Sequence, residues 1–174
     1  MVESNDQLWR SLIVDVPDFP QPGILFRDVT PLLESAEGLR TAVDALAGAF
    51  SNIDIVAGIE SRGFIFGAPV AYALGVGMVP VRKPGKLPRA TASVDYALEY
   101  GTNTLQLHRD AVSPGQRVLI VDDVLATGGT AAATAALIEE LGAEVAGIAV
   151  LIELTALGGR QKLGDFPLVS LISY

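Results

Sequence analysis

Cysteine is absent from the 174 residues, which excludes disulfides and thiolate zinc sites. A single histidine, His108, leaves no second imidazole to complete a metal pair, so a structural or surface place is expected for it. No uninterrupted apolar run reaches membrane-spanning length. The opening Met1, Val2, Glu3, Ser4, Asn5, Asp6 lacks the basic-then-apolar build of a signal peptide, so the cytoplasm is the expected compartment. Positive charge is scarce: 12 Lys and Arg face 20 Asp and Glu, a formal net charge of −8. That balance opposes non-specific binding to nucleic acid or anionic membrane, and neither partner is expected. A small polyanion would need a local basic patch. No Gly-Lys-[Ser/Thr] completes a Walker pattern, and no G-x-G-x-x-G follows a strand. Internal repeats and low-complexity segments are also missing.

Half of the chain is apolar and 18% is charged, which fits one globular domain with a sizeable core. Short apolar runs at 53–59, 77–81, 118–121, 145–152 and 168–172 read as buried strands, and the alternation of 105–107 reads as a further strand. Helical patterns at 34–50, 64–74 and about 131–141 alternate with them, and a short helix is expected at 6–13. The expected fold class is therefore α/β, a parallel sheet flanked by helices on both faces.

The organising stretch is Val118 to Thr130. Four apolar residues lead to adjacent carboxylates, Asp122 and Asp123, and then to the small, hydroxyl-rich turn Ala126, Thr127, Gly128, Gly129, Thr130. Ligands of open parallel sheets bind beyond the carboxyl ends of the strands. A helix N-terminus there presents unpaired N–H groups and partial positive charge, which suits a phosphate monoester. Two aspartates repel phosphate but suit hydroxyl donors or Mg²⁺. A diol beside a phosphate describes a ribose 5-phosphate.

Elsewhere the signals are weaker. Glu60, Ser61, Arg62 and Gly63 form a loop after a buried strand; alone they could be a capped turn with a surface ion pair, but beside the first motif Arg62 becomes an anchor for a second phosphate. Arg82, Lys83, Lys86 and Arg89 place four basic residues within eight positions, which favours polyanion capture over a merely solvated loop. Residues 88–104 show no long apolar pattern and are expected to be a mobile loop. Residues 15–22 hold three prolines and must be extended or turning. The following segment, 23–30, taken alone reads as a surface flap packing Leu25 and Phe26 rather than as a ligand site.

The organising stretch resembles the phosphoribosyl-diphosphate signature of type I phosphoribosyltransferases. Segments 19–28, 60–64, 79–88 and 98–101 extend the resemblance over nearly the whole chain and point to the adenine-using branch. That resemblance implies the type I phosphoribosyltransferase fold with a small N-terminal hood at about 1–33. It implies a transferase that converts adenine and phosphoribosyl diphosphate to AMP and diphosphate with Mg²⁺, in a homodimer. Ala126 to Thr130 would hold the 5-phosphate and Asp122 with Asp123 the ribose hydroxyls. Glu60, Ser61, Arg62, Gly63, Arg82, Lys83 and Lys86 would hold diphosphate, in a loop that in this family often contains an unusual cis peptide. Leu25, Phe26 and Arg27, with Val124 and Leu125, would hold adenine. Glu99 would be the catalytic carboxylate, and Arg62 would assist. Two alternatives stay open: a transferase for another base, and a regulator that binds phosphoribosyl diphosphate without turning it over.

Overall fold

The computed structural model describes residues 2–97 and 102–174. Its centre is β7 (Arg117–Leu125), the middle strand of a five-stranded sheet. Val118, Leu119, Ile120 and Val121 are all completely buried, which a strand achieves only when both sheet faces are covered. Each such side chain contributes about 1.5–3 kcal/mol by leaving water. On either side of β7 lie β3 (Ile55–Ile59) and β8 (Glu144–Glu153), with β4 (Gly77–Val81) and β9 (Leu168–Ser173) outside them. All four pairings are parallel, in the order β4-β3-β7-β8-β9.

One face is covered by α1 (Val2–Ser11), α2 (Thr30–Glu34), α3 (Ala36–Gly48) and α4 (Gly63–Leu74), with Leu46, Phe66 and Val70 packed against Leu119 and Val121. The other is covered by α5 (Gly129–Glu140) and a hairpin, with Leu137, Ile138, Leu105 and Leu107 packed against Val118 and Ile120. Trp9, the only tryptophan, is completely buried on the first face and donates from Nε1 to Thr41 Oγ1 at 3.0 Å.

The stretch expected to be a mobile loop is instead largely that hairpin. Strands β5 (Thr91–Ala97) and β6 (Thr102–His108) pair antiparallel over seven residues each. The physical reason is a period-two alternation written in small residues: Ala92, Val94 and Tyr96 turn inward while Ser93 and Asp95 face outward. Cross-strand bonds from Gln106 Nε2 to Ser93 Oγ (3.0 Å) and Thr104 Oγ1 to Asp95 Oδ1 (2.6 Å) fix the outer face. The helix expected over 34–50 is α3, which starts at Ala36 because Ser35 is extended and caps it by accepting from Gly38 N at 3.0 Å; Glu34 ends the separate α2. The first helix begins earlier than its apolar pattern indicates. Beside the sheet, β1 (Val14–Pro17) and β2 (Leu25–Asp28) form a small antiparallel hood. A 3₁₀ turn (Thr155–Leu157) and the short α6 (Gly159–Lys162) occupy the stretch that the Gly158–Gly159 pair marks only as a break. Among the described residues no helix is long and apolar enough to cross a membrane.

Candidate active site

Three neighbouring parallel strands end at one edge and deliver three polar segments. The end of β4 gives Arg82 and Lys83, that of β3 gives Glu60 to Arg62, and that of β7 gives Asp122 and Asp123. Lys83, Glu60 to Arg62, Asp122 and Asp123 line a cleft of about 460 Å³, together with Val124, Ala126 and Thr130. Arg82 and Lys86 do not line it.

Asp122 and Asp123 sit inside the last turn of the buried strand, and Asp123 is only 5% exposed. Burial pushes both carboxyls up from the usual aspartate range, Asp122 further because the Asp123 charge adds to it. Arg62 works against this: its Nε lies 2.6 Å from Asp123 Oδ2. The contact is a charge pairing without an aligned hydrogen bond, since that oxygen has no hydrogen-bond partner. The two aspartates are therefore poised to accept from something that brings donors or positive charge. Gly63 lets α4 press this closely: a Cβ there would stand 2.8 Å from Asp122 Oδ1 and 2.9 Å from Val121 O.

The peptide bond between Glu60 and Ser61 is cis. Glu60 is occupied with the basic segment, accepting from Arg82 Nε at 3.1 Å and from Lys83 N at 3.0 Å. Burial alone would raise its carboxyl, but these partners and the nearby Lys86 charge hold it below the usual range. Arg82 also reaches the Lys86 carbonyl. Arg89 is drawn away to Asp110 and His108. His108 is 8% exposed and structural.

After Leu125 the chain turns through 126–128 into α5. Gly128 has φ +78° and provides no side-chain cap, so the first N–H groups of α5 lack an internal partner. They face a cup of about 80 Å³ formed by the turn and Asp122. Thr130 Oγ1 donates to Tyr96 Oη at 3.3 Å, tying this turn to the hairpin.

A third cavity, about 470 Å³, opens under the hood and is largely apolar, with Val16, Phe19, Phe26, Leu33 and Ile65 in its walls. The Phe19 and Phe26 rings meet edge to face at 5.1 Å. Arg62 belongs to the walls of both larger cavities, and its Cζ lies 5.0 Å from the Phe26 ring centroid.

This geometry has counterparts. The phosphoribosyl transferase domain family matches residues 32–169. A curated adenine phosphoribosyltransferase of Thermosynechococcus vestitus is 60% identical over 167 residues, which cover 95% of this chain and 98% of that protein. The chain belongs to the adenine phosphoribosyltransferase family. The crystal structure of adenine phosphoribosyltransferase from Thermoanaerobacter pseudethanolicus superposes with a TM-score of 0.94 at 52% identity, covering 97% of this chain and 99% of that one. The Saccharomyces cerevisiae enzyme, complexed with D-2,5-dideoxy-2,5-imino-altritol 1,6-bisphosphate and adenine, superposes at 0.92 with 41% identity, covering 97% and 99%.

Of the residues that resemblance to adenine phosphoribosyltransferases assigns, the fold brings Asp122, Asp123, Glu60, Ser61, Arg62, Lys83, Ala126 and Thr130 to one cleft, and Thr127, Gly128 and Gly129 to the adjoining cup. Gly63 lies just behind, and Lys86 is exposed on the basic segment. The proposed base residues are more scattered. Phe26 lines the hood cavity and Val124 the cleft. Leu25 is 47% exposed, Leu125 lines the phosphate cup, and Arg27 turns to Asp15 and to the Tyr174 ring, 3.9 Å from its centroid. Glu99 lies outside the described residues. Sequence reasoning passed over Tyr96 and Asn103, cross-strand partners that line the cleft together from one end of the hairpin. The alternation at 92, 94 and 96 was the available signal.

Proposed function

We propose that this chain transfers the 5-phosphoribosyl group of phosphoribosyl diphosphate to adenine, giving AMP and diphosphate. The observation that carries the reading is Arg62, a shared wall between an apolar cavity sized for a purine and a cleft that joins two carboxylates to a phosphate cup.

In this reading the free N–H groups of the first turn of α5 and the hydroxyls of Thr127 and Thr130 bind the 5-phosphate. Asp122 and Asp123 accept from the ribose hydroxyls. Arg62 and Lys83 meet the diphosphate, while Arg82, held by Glu60 outside the cleft wall, adds positive charge nearby. The bond from ribose C1 to the diphosphate oxygen breaks, positive charge grows on the sugar, and a purine nitrogen forms the new bond to C1. The purine then loses a proton, which Glu99 is assigned to take. No covalent nucleophile is needed. Orientation and stabilisation of the leaving anion do the work. The β5–β6 hairpin, whose Tyr96 and Asn103 line the cleft, would shelter the reacting sugar from water.

The donor set fits Mg²⁺ carried mainly by the substrate. Among the described residues no cluster of three acidic or histidine ligands exists, whereas Asp122 and Asp123 offer the one or two carboxylates that Mg²⁺ takes beside phosphate oxygens. Bound there, Mg²⁺ would neutralise charge on the departing diphosphate. We further propose a single domain with its hood at about 1–33, a cytoplasmic location, and a homodimer in which the segment of Arg82 and Lys83 lies partly across the interface.

A panel of adenine, hypoxanthine, guanine and uracil, each with phosphoribosyl diphosphate and Mg²⁺, tests the assignment. Turnover of adenine alone is the expected result; turnover of a 6-oxopurine, or of no base, would replace it.

The turn makes its own prediction. In Gly128→Val the new Cβ would meet Gly159 O at 2.4 Å, on a backbone with φ +78° that β-branched residues resist. AMP affinity should fall by about tenfold or more, and Thr127→Ala by about two- to tenfold for one lost hydroxyl donor. Isothermal titration reads both; an unchanged affinity in the valine variant would place the phosphate elsewhere.

A further inference from the structure

Behind the phosphate turn stands a set of groups that touch no cavity in the site. Glu153 ends β8 and pairs with Leu125, the last residue before the turn. Its carboxylate is 5% exposed and accepts three hydrogen bonds: Arg160 Nε at 2.9 Å, Arg160 Nη2 at 2.6 Å and Ser170 Oγ at 2.8 Å. Such a forked pairing fixes direction as well as distance. Arg160 stands in α6, and the residue beside it, Gly159, is in backbone contact with the turn. A Cβ on Gly159 would lie 2.2 Å from Ala126 O and 2.9 Å from Gly128 N. No side chain intervenes, so the position of α6 is transmitted directly to 126–128. The helix has four residues and few other ties, chiefly the buried Leu163 after it.

We infer that Glu153 and Arg160 are positioning residues that set the height of the 126–130 turn, and thereby the affinity of the site for the 5-phosphate group. The inference rests on the transferase reading above. Neither residue touches substrate; they act through Gly159.

The loss on removing the pair should fall on ligands that carry the 5-phosphate and on no others. The full chain is compared with Arg160→Met, Arg160→Lys and Glu153→Gln. In Arg160→Met the KM for phosphoribosyl diphosphate and the Kd for AMP should rise by about tenfold, with kcat at saturation and the Kd for adenine moving by less than about threefold. Arg160→Lys keeps the charge without the fork and should fall between Met and the parent. Arg160 is half-exposed, so its variants decide the matter even if Glu153→Gln fails to fold. A purely structural ion pair would lower the melting temperature while leaving the AMP and adenine affinities alone, or would weaken both together; either result overturns the inference. Failure of the parent chain to turn over phosphoribosyl diphosphate and adenine removes the transferase reading itself, and the inference with it. An active parent with unaffected AMP binding in Arg160→Met removes only the inference.

Discussion

Asp122→Asn combined with Asp123→Asn should abolish most turnover while making the ligand-free protein harder to unfold. The two effects share one cause. Burial, and for Asp122 the neighbouring Asp123 charge, raise both carboxyls above the ordinary value of 3.8. Between that value and the raised one the folded chain holds protons that the unfolded chain has released. Stability therefore falls as pH rises through this window, and the full cost stands above it. Amides of the same shape carry no such cost. The melting temperature of the double variant should exceed the parent's at neutral and higher pH, and the difference should shrink as pH drops toward the ordinary aspartate value. In a domain of this size ~1 kcal/mol moves the midpoint by about 2–4 °C. Turnover moves the other way. The amides still accept from ribose hydroxyls but lose the charge that strengthens those bonds about twofold. A fall in kcat/KM of about 10²–10³ is expected, the range for losing one preorganised electrostatic group. Thermal melts across pH, run beside steady-state kinetics, check both arms. Full activity would remove the ribose assignment, and a lower midpoint at neutral pH would show that the pair stabilises the fold.

Glu99→Gln should lower kcat by about 10²–10⁴-fold, the usual contribution of a general acid or base. Position 99 falls between Ala97 and Thr102, which pair with each other at the end of the hairpin. Tyr96 and Asn103, just outside that pair, both line the cleft. In the chemistry above, a purine proton has to leave as the new bond to C1 forms, and the Glu99 carboxylate is its proposed acceptor. Substrate dissociation constants should change by less than about tenfold, and Glu99→Leu should behave like Glu99→Gln because neither can take a proton. Single-turnover rates isolate the chemical step from product release. If Glu99→Gln keeps its single-turnover rate, the proton is handled elsewhere.

The sheet was legible because its strands are written as plain apolar runs, fully buried at the centre of β7 and half-buried at the edge strands β4 and β9. Ile55–Ile59, Gly77–Val81 and the centre of Arg117–Leu125 announce themselves in that way. The phosphate turn was legible for a different reason: small residues beside paired carboxylates are rare except where a backbone must approach a ligand. Of the β5–β6 hairpin only the 105–107 part of β6 was legible; in β5, Thr91, Ala92 and Ser93 carry little apolar bulk and only the alternation betrays a strand. The hood was hidden by its prolines and by strands whose outer residues stay exposed. The base pocket suffered most. Local sequence shows that Phe26 and Arg27 are neighbours, but the two-residue period of β2 sends one ring into the cavity and the next side chain toward Tyr174, a residue at the far end of the chain. The groups behind the turn were invisible because Gly158 and Gly159 look like a simple break, whereas Gly159 is required by the backbone it touches.

The buried indole of Trp9 turns this protein into its own optical gauge. With one tryptophan in the chain, ultraviolet emission excited at the red edge of absorption comes from a single place, the core on the α3 and α4 side of the sheet. Its Nε1 is fixed to Thr41 and its ring is shut off from solvent. Emission should lie toward shorter wavelengths in the folded protein and shift red when that layer opens. Thr41→Val would release the Nε1 bond without emptying the space, shifting the native spectrum while the cleft on the sheet edge is left alone. Unfolding of the aspartate variants can then be followed without any added dye, through a reporter that takes no part in substrate binding.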